Sequence, residues 1–424
     1  MQSGRRSLLV CGAAALAAPG AAMGRTPSAA ARVVVVGGGF GGATAARYLR
    51  QIAPHLHVTL VEPARRFYTC PYSNLYLAGL RSWDSIGHGF DGLRAAGVEV
   101  IHERADDVDA AARKLRLASG QVLPYDRLVL SPGIDLRWNA IEGYDEAAAE
   151  RAPHAWKAGP QTLLLKKQLE AMPDGGVFIM AVPDNPFRCP PGPYERAAMV
   201  AHYFTRHKPR SKILVLDAKE NFSKKALFLQ GWKALYGSMI EWVGLSRDGQ
   251  VVRVDAQARE VETLFGARHK ADVLNVIPPQ KAGLIAERAG VTDGSGWAPV
   301  QGENFASQRV AGIHVLGDAS FAGPMPKSGF AANNQGKLAA AAIAAELSGL
   351  EPPQALYANT CYSLIGPDYG ISVAGVYRAQ AGRLIDVPHS VGTSPLDAGA
   401  AFRAAEARHG AAWYAAISAD IWDR

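Results

Sequence analysis

Cysteine is the residue type with the most distinctive chemistry in this chain, because it occurs only four times in 424 residues. The four are Cys11, Cys70, Cys189 and Cys361. Cys11 falls in an N-terminal segment with the character of an export leader, so three thiols, an odd number, remain in the part that must fold. A thiol can pair as a disulfide, exchange with one as a thiolate, or bond to a cofactor. The elements around each cysteine decide among these roles.

The segment around residue 40 has the pattern that opens a dinucleotide-binding fold. Arg32 to Val36 is an apolar, β-branched run, the glycine-rich turn Gly37 to Gly42 follows it, and Ala43 to Arg50 has a helical pattern. A strand, a glycine turn and a helix in this order place the helix N-terminus against an anion. The sequence therefore predicts a nucleotide pyrophosphate at this turn.

Individual residues of this unit have separate roles in binding a dinucleotide. Gly37 permits the tight turn, Gly39 lets the backbone approach the pyrophosphate, and Gly42 lets the helix pack close to the strand. The next apolar strand, His57 to Val61, ends at Glu62. An acidic side chain at that place is expected to bind a ribose hydroxyl.

A second pattern, near residue 318, favours FAD over NAD as the bound dinucleotide. The apolar run Gly312 to Leu316 ends in Gly-Asp, which is typical of flavoproteins with two dinucleotide-binding domains, where the carboxylate holds the ribityl chain. The loop Pro324 to Gly329 then leads into an Ala-rich helix, whose N-terminus could stabilise negative charge on reduced flavin. The cofactor contacts predicted here are Gly317, Asp318, Lys327, Ser328 and Gly329.

The position of Cys70 fits a covalent bond to that flavin. Cys70 lies in Phe67 to Asn74, a few residues after the strand that ends at Glu62, in the loop expected to face the flavin. If the cofactor consumes this thiol, Cys189 and Cys361 remain as a candidate redox disulfide. Two other interpretations stay open: the pair could be inert buried thiols, or a structural cross-link of an exported protein.

The middle of the chain resembles a second dinucleotide domain without its glycines. The strand Val177 to Val182 runs into Pro183-Asp184-Asn185-Pro186, whose prolines lack N–H donors and which has no glycine to admit a pyrophosphate. We therefore predict that NAD(P)H is not a substrate.

The loop that replaces the glycine turn, Phe187 to Arg196, carries Cys189 and Glu195. Glu195 is predicted to lie in the first turn of the following helix, where it could accept a proton from an incoming thiol. Alternatively, it only complements the helix N-terminus. No metal site is predicted, and since no Cys-x-x-Cys-His occurs, the chain should carry no c-type haem of its own.

The first thirty residues have the pattern of an export signal. Paired arginines, Arg5 and Arg6, precede an apolar stretch from about Leu8 to Ala22, and a cut near Ala30 would precede the first strand. The paired arginines indicate the twin-arginine route, so a periplasmic protein is expected. A membrane anchor and a lipoprotein site at Cys11 are the alternatives. Cleavage removes three arginines and no acid, which lowers the net charge from +7 to +4, so charge gives no indication of nucleic-acid binding.

About 394 residues then remain, which predicts two or three domains of α/β class. The predicted fold is that of a glutathione-reductase-like flavoprotein with two dinucleotide-binding domains and an additional C-terminal α+β domain. The predicted divisions are an export signal at 1–30, the first part of an FAD domain at 31–150, an NAD-like domain at 151–278, the return segment of the FAD domain at 279–351, and the C-terminal domain at 352–424.

Together these motifs resemble the flavoprotein subunit of flavocytochrome c sulfide dehydrogenase, also called sulfide-cytochrome c reductase. The resemblance covers nearly the whole chain. It rests on the twin-arginine leader, the run from Val33 to Gly39, Tyr68-Thr69-Cys70, the loop Phe187 to Arg196, Pro324 to Gly329, and Asn359-Thr360-Cys361-Tyr362-Ser363. Two departures are Pro71-Tyr72 after Cys70 and the Ala-rich C-terminus.

The resemblance implies a site and a partner. FAD would be bonded through its 8α-methyl group to Cys70, Cys189 and Cys361 would form the redox disulfide with Cys361 nearer the flavin, and Glu195 would act as acid or base. The partner would be a c-type cytochrome subunit in a heterodimer, with haem c only on that partner. The expected activity is oxidation of sulfide to sulfur or polysulfide.

Two rival functions remain. A sulfide:quinone oxidoreductase shares the fold and a cysteine pair but binds membranes through amphipathic C-terminal segments, whereas here Phe402 to Ile417 is Ala-rich and interrupted by charges, a weak membrane face. The other rival is a catalytically silent flavin-binding electron relay in which the cysteine pair is structural.

Overall fold

The computed structural model describes residues 30–423, so the predicted leader, with Cys11, lies outside the described residues except for Ala30. Residues 31–424 fall within one compact unit. Its first half contains, in chain order, β1 (Arg32–Val36), α1 (Phe40–Ile52), β2 (His57–Val61), β3 (Phe67–Tyr68), α2 (Ser73–Leu77), β4 (Gly87–His88), α3 (Asp91–Ala95), β5 (Glu99–Ile101), β6 (Ala105–Asp109), β7 (Lys114–Leu117), β8 (Val122–Pro124), β9 (Arg127–Leu130), β10 (Ile134–Leu136), α4 (Glu146–Ala149), α5 (Pro160–Ala171), β11 (Val177–Val182) and α6 (Gly192–His207).

The second half continues with β12 (Lys212–Asp217), α7 (Lys225–Tyr236), β13 (Ile240–Val243), β14 (Val251–Asp255), β15 (Glu260–Thr263), β16 (Arg268–Lys270), β17 (Val273–Val276), β18 (Gln280–Ala282), α8 (Leu284–Arg288), β19 (Ala298–Pro299), β20 (Ile313–Val315), β21 (Ser320–Phe321), α9 (Gly329–Leu347), β22 (Leu356–Gly366), β23 (Tyr369–Gln380), β24 (Arg383–Asp386), β25 (Gly392–Thr393) and α10 (Ala400–Ser418).

The first sheet is parallel and has the spatial order β20, β9, β1, β2, β5. Its central strand β1 is covered on both faces, which is why Val33 to Val36 can all be apolar and buried. A strand from late in the chain, β20, completes this sheet at one edge. The glycine turn after β1 and Gly317 after β20 therefore lie at the same, carboxyl-terminal edge of the sheet.

The second sheet, of order β13, β12, β11, β17, is also parallel. Its strand β11 matches the predicted run Val177 to Val182. The helix that follows, α6, begins at Gly192, with proline in its first turn. The loop between β11 and α6 thus carries Cys189 at the carboxyl-terminal edge of this sheet.

The C-terminal part combines a long antiparallel hairpin, β22 and β23, with helix α10. α10 covers Phe402 to Ile417, and two of its charged residues, Arg403 and Glu406, are buried rather than presented on a surface. Glu406 accepts hydrogen bonds from Ser372 and Ser394. Within residues 30–423, no helix combines the length and apolar character that a membrane span would need.

The last residues pack against the glycine turn. After α10 a π-helical turn, Ala419–Asp423, buries Trp422, whose Nε1 donates to the carbonyl of Gly38 at 3.2 Å. The guanidinium of Arg47 on α1 donates to the carbonyl of Ile421 at 3.1 Å. The C-terminal segment therefore packs behind the glycine turn and helps to hold it in place.

Candidate active site

One cavity gathers most of the residues that the sequence singled out. Its lining comes from the glycine turn, the loop around Cys70, the loop after β11, the start of α9 and strand β22. The predicted residues that line it are Gly37, Gly39, Glu62, Cys70, Cys189, Glu195, Gly317, Asp318, Ser328, Gly329 and Cys361. Two of the predicted residues, Gly42 and Lys327, do not line this cavity.

Gly42 allows helix α1 to pack closely against the glycine turn. A Cβ at Gly42 would overlap the carbonyl oxygen of Gly37, so only glycine lets α1 begin this close to β1. Gly37 has φ +102°, which a side chain would strain. Glu62 accepts hydrogen bonds from the backbone N–H groups of Gly38 at 2.8 Å and Ala64 at 2.9 Å, which fixes its carboxylate at the edge of the cavity.

Lys327 lies behind the cavity wall. Its ammonium donates to the carbonyls of Asp318 and Ser320 and stands 3.8 Å from the ring centre of Trp297. Burial lowers its pKa to about 8. The side chain therefore braces the loop after β20, and the cofactor contact predicted for Lys327 stays a prediction. The neighbouring Ser328 caps α9 by accepting from Ala331 N at 3.0 Å.

Asp318 has an unused acceptor that fits a flavin ribityl chain. One carboxylate oxygen, Oδ2, accepts from Arg188 Nε at 2.6 Å. The other, Oδ1, is buried and has no hydrogen-bond partner among the described residues. A buried acceptor without a donor is costly, and a ribityl hydroxyl would supply the donor. With the glycine turn beside it, the residues present fit FAD.

Cys70 lines the cavity in contact with Arg188. Its Sγ accepts from Arg188 Nη1 at 3.3 Å and donates to the carbonyl of Trp156 at 3.5 Å. The same guanidinium therefore joins the Cys70 thiol to the carboxylate of Asp318. Sequence reasoning gave Arg188 no role, although it stands next to Cys189 in the predicted loop.

The other two cysteines, Cys189 and Cys361, are neighbours across the cavity and, like Cys70, are free thiols in the structure. A hydrogen bond between their sulfurs and burial raise the pKa of Cys189. The same hydrogen bond and the nearby charge of Lys224 lower the pKa of Cys361 to about 7, although burial acts to raise it. The sulfurs thus stand where a disulfide could form, and Cys361 is the one that ionises more easily.

The backbone around Cys189 is held in an unusual conformation. Cys189 has φ +56°, a region that non-glycine residues seldom adopt. Its N–H donates to the carbonyl of Lys327 at 2.9 Å, and its own carbonyl accepts from Gly192 N at 2.8 Å. The loop is therefore fixed on both sides of the thiol, which is typical of strained positions at functional sites.

Glu195 lies in the first turn of α6, as the sequence predicted, and faces the cysteine pair. Its oxygens accept from Leu364 N and Asn74 Nδ2, both at 2.9 Å. Burial raises its pKa, while these two hydrogen bonds and the nearby Lys224 and Arg196 lower it. A carboxyl group with a raised pKa can exchange protons nearer neutral pH, as a general acid or base requires.

Two buried cations of the site were missed by sequence reasoning. Arg196, on α6, donates to Asn74 Oδ1 and Asn275 Oδ1 and to two backbone carbonyls, of His154 and Ala155. Lys224 donates to the carbonyl of Cys361. A lysine or arginine in a sequence is most often exposed, and no local pattern distinguished these two.

The nucleotide end of the second sheet is closed. Asp217 ends β12, the place where an acidic residue would bind the ribose of NAD in a dinucleotide domain. It is fully buried and accepts from Tyr194 Oη at 2.7 Å, Trp242 Nε1 at 2.9 Å and Lys219 Nζ at 2.6 Å. Its acceptor sites are thus used internally, which favours the prediction that NAD(P)H does not bind.

The fold and site together define a class of protein. Residues 31–162 match the family described as pyridine nucleotide-disulphide oxidoreductase. Among solved structures, the sulfide:quinone oxidoreductase of Aquifex aeolicus superposes with a TM-score of 0.72 at 19% identity, covering 92% of each chain. The chain is therefore an α/β flavoprotein of the pyridine nucleotide-disulphide oxidoreductase type, and the predicted fold class is confirmed.

Two further matches give the family. Residues 162–278 match the sulfide dehydrogenase (flavocytochrome c) flavoprotein chain, central family, and residues 353–422 match the flavocytochrome c sulphide dehydrogenase, flavin-binding family. The flavoprotein chain of a Chlorobaculum thiosulfatiphilum sulfide dehydrogenase (flavocytochrome c) is 67% identical over 43 residues, 10% of this chain and 90% of that sequence.

A mouse mitochondrial sulfide:quinone oxidoreductase is 24% identical over 310 residues, 68% of this chain, and the match spans 65% of the mouse protein's length. The chain therefore belongs to the family of flavoproteins that includes both of these relatives. The flavin-binding match also supports FAD as its cofactor.

Proposed function

We propose that this protein oxidises sulfide to sulfur or polysulfide through a Cys189–Cys361 disulfide beside FAD, and passes the electrons to a c-type cytochrome subunit. The observation that carries the proposal is the placement of both sulfurs and Glu195 on the cavity whose other end is formed by the glycine turn and Asp318. In the oxidised protein these sulfurs would be joined.

In the first step, hydrosulfide attacks the Cys189 sulfur. A bond forms between the hydrosulfide sulfur and the Cys189 sulfur, the Cys189–Cys361 bond breaks, and the electron pair leaves with Cys361 as a thiolate. Cys361 suits this role because its pKa, about 7, makes it the better leaving group of the pair. Cys189 then carries a persulfide.

A second hydrosulfide attacks the outer sulfur of the persulfide, releasing hydrogen disulfide as the shortest polysulfide and leaving Cys189 as a thiol. Closing the disulfide again removes two electrons and one proton from the pair. FAD, when bound, supplies the two-electron acceptor and can pass electrons on singly to haem. Glu195, next to both sulfurs, is positioned to hold the proton that Cys189 gains and loses.

Covalent attachment of FAD through Cys70 and export to the periplasm complete the proposal. The contact between Cys70 and the flavin cavity supports the first, and the paired arginines of the leader support the second. A thioether would keep the cofactor on the protein outside the cytoplasm.

The second candidate function is a sulfide:quinone oxidoreductase, favoured by the long match to the mouse protein. Arg408 stays exposed on α10 and places a charge on the outer face of that helix, which speaks against a membrane-binding face and so favours a cytochrome acceptor.

Anaerobic mixing of the purified, flavin-loaded protein with sulfide tests the proposal. Sulfide should bleach the flavin spectrum, and serine at Cys189 or Cys361 should slow this bleaching by orders of magnitude while FAD stays bound. Horse cytochrome c and decylubiquinone, offered separately, should distinguish the two acceptors. Absence of bleaching would favour a silent electron relay, and wild-type rates in both serine variants would make the cysteine pair purely structural.

A further inference from the structure

Lys224 is a buried lysine placed directly behind the cysteine pair. It is 7% exposed and precedes α7 in the left-handed conformation, with φ 64° and ψ 27°. Its ammonium donates to the carbonyl of Cys361 at 2.8 Å and to Ser363 Oγ at 2.9 Å. The side chain thus reaches across to β22 and ties the loop before α7 to the strand that carries Cys361.

The charge of Lys224 has no carboxylate partner within 4.0 Å among residues 30–423. Both of its hydrogen-bond acceptors are neutral, and a buried cation without an anion is costly. The ionisable groups that face it are Cys361, Glu195, Cys189 and Glu406; burial lowers its pKa and these groups raise it. Three of these four belong to the candidate active site.

We propose that Lys224 is a positioning residue for the redox disulfide, which fixes the backbone of Cys361 and stabilises the thiolate released when hydrosulfide attacks Cys189. The inference rests on the proposed function. In that step a sulfur–sulfur bond forms at Cys189, the Cys189–Cys361 bond breaks, and the negative charge of hydrosulfide moves to Cys361. That charge arrives beside an ammonium that is already buried and in place.

The electrostatics of Cys361 agree with this geometry. The hydrogen bond with Cys189 and the nearby Lys224 lower the pKa of Cys361, whereas burial and the nearby Glu195 raise it. Without the ammonium, the thiolate would face Glu195 and a low-dielectric wall. A nearby opposite charge typically lowers a pKa by about 1–3 units, so losing it should make Cys361 a poorer leaving group and leave a smaller fraction of it as thiolate at neutral pH.

The experiment measures thiolate formation without using sulfide. The flavin-loaded protein is reduced with dithiothreitol, desalted anaerobically and alkylated with iodoacetamide from pH 5 to 10, and Cys361 labelling is read by peptide mass spectrometry. In Lys224→Met, which removes the charge, and Lys224→Gln, which keeps a donor, the midpoint should rise by about one pH unit. Lys224→Arg should stay close to the wild type.

Lys225→Met is the matched control, because it removes the same charge one residue away. Lys225 donates to the carbonyl of Glu220 at 2.7 Å and lies 4.1 Å from the ring centre of Trp242, outside the cavity lining. It should leave the Cys361 profile unchanged. Bleaching by sulfide should slow by up to about tenfold in Lys224→Met and Lys224→Gln, because one pKa unit is a factor of about ten in the stability of the thiolate and the rate follows only part of it.

An unchanged Cys361 profile in Lys224→Gln would overturn the inference. So would an equal change in Lys225→Met. If Lys224→Met does not fold, Lys224→Gln and Lys224→Arg still decide, since they differ in charge but both keep a donor. If sulfide fails to bleach the wild type, the proposed function fails, and the alkylation profile then judges the role of Lys224 by itself.

Discussion

Replacing Arg188 by methionine should destabilise the flavin-loaded protein, because it leaves Asp318 as a buried, unpaired carboxylate. Arg188 Nε and Asp318 Oδ2 are 2.6 Å apart, and their side chains are only 18% and 15% exposed. Asp318 Oδ1 already lacks a protein partner among the described residues. The ion pair is therefore the main contact that the protein itself offers to this charge.

The expected cost follows from the burial of the pair. Removing one partner of a buried ion pair typically costs about 3–5 kcal/mol. The partial exposure of both side chains places the expected value near about 3 kcal/mol. Arg188→Met also removes the hydrogen bonds to Cys70 Sγ and the carbonyl of Trp156. Adding Asp318→Asn removes the unpaired charge, so the double variant should recover part of the loss.

The wild type, Arg188→Met, Asp318→Asn and the double variant form a double-mutant cycle. Urea unfolding followed by circular dichroism measures the unfolding free energy of each of the four proteins. The coupling energy between Arg188 and Asp318 should exceed about 1 kcal/mol. Arg210→Met is the control: Arg210 Nε lies 2.8 Å from Asp174 Oδ2, but the arginine is 76% exposed, so water replaces the lost contact. A loss in Arg188→Met no larger than in this control, or strictly additive losses in the cycle, would refute the reasoning.

Three further predictions concern the cofactor and the proton. Flavin should stay with the polypeptide in acid, and Cys70→Ser should release it, because the thiol lines the cavity; equal release from both proteins would exclude a covalent link. Excess NADH should leave the flavin oxidised on the timescale in which sulfide reduces it, because the hydrogen-bond acceptors of Asp217 are already used by protein side chains. Rapid bleaching of the flavin by NADH would show an open nucleotide site. Glu195→Gln should slow bleaching by about 100-fold, the low end of what a positioned acid or base contributes, because hydrosulfide is already largely deprotonated at neutral pH. Because burial raises the pKa of Glu195 in the folded protein, the wild type loses stability as pH rises, so the unfolding free energy of Glu195→Gln relative to the wild type should improve above about pH 4.3. A constant difference between the two proteins would contradict the burial of Glu195.

Local patterns were enough to predict the sheets and the glycine turn. The runs that became β1, β2 and β11 are continuous, apolar and β-branched, which is typical of parallel strands buried on both faces. Gly37 and Gly42 could be assigned because the fingerprint is confined to six neighbouring residues. Glu195 could be placed on the first turn of α6 because the signal for the start of that helix also lies in neighbouring residues.

Contacts between distant segments could not be read in this way. Arg188 pairs with Asp318 across 130 positions, Lys224 reaches Cys361 across 137, and Asn74 reaches Glu195 across 121. In each case the polar partner is chosen by how the sheets pack, and not by a neighbour in sequence. The contacts of Lys327 with nearby carbonyls and with Trp297 could not be read from its sequence context either, because Trp297 lies 30 positions away.

The loop between β11 and α6 links the predicted absence of a nucleotide site to the proposed sulfur site. In a nucleotide-binding domain this turn must leave backbone N–H groups free for a pyrophosphate. Here the Cys189 N–H donates to the carbonyl of Lys327 and the Arg188 N–H donates to the side-chain oxygen of Gln280. These two N–H groups are therefore not free to bind a pyrophosphate. The same bonds fix the Cys189 sulfur next to Cys361. The attack that we propose for hydrosulfide needs none of these N–H groups, so in that mechanism the loop would select its reductant by size as well as by chemistry.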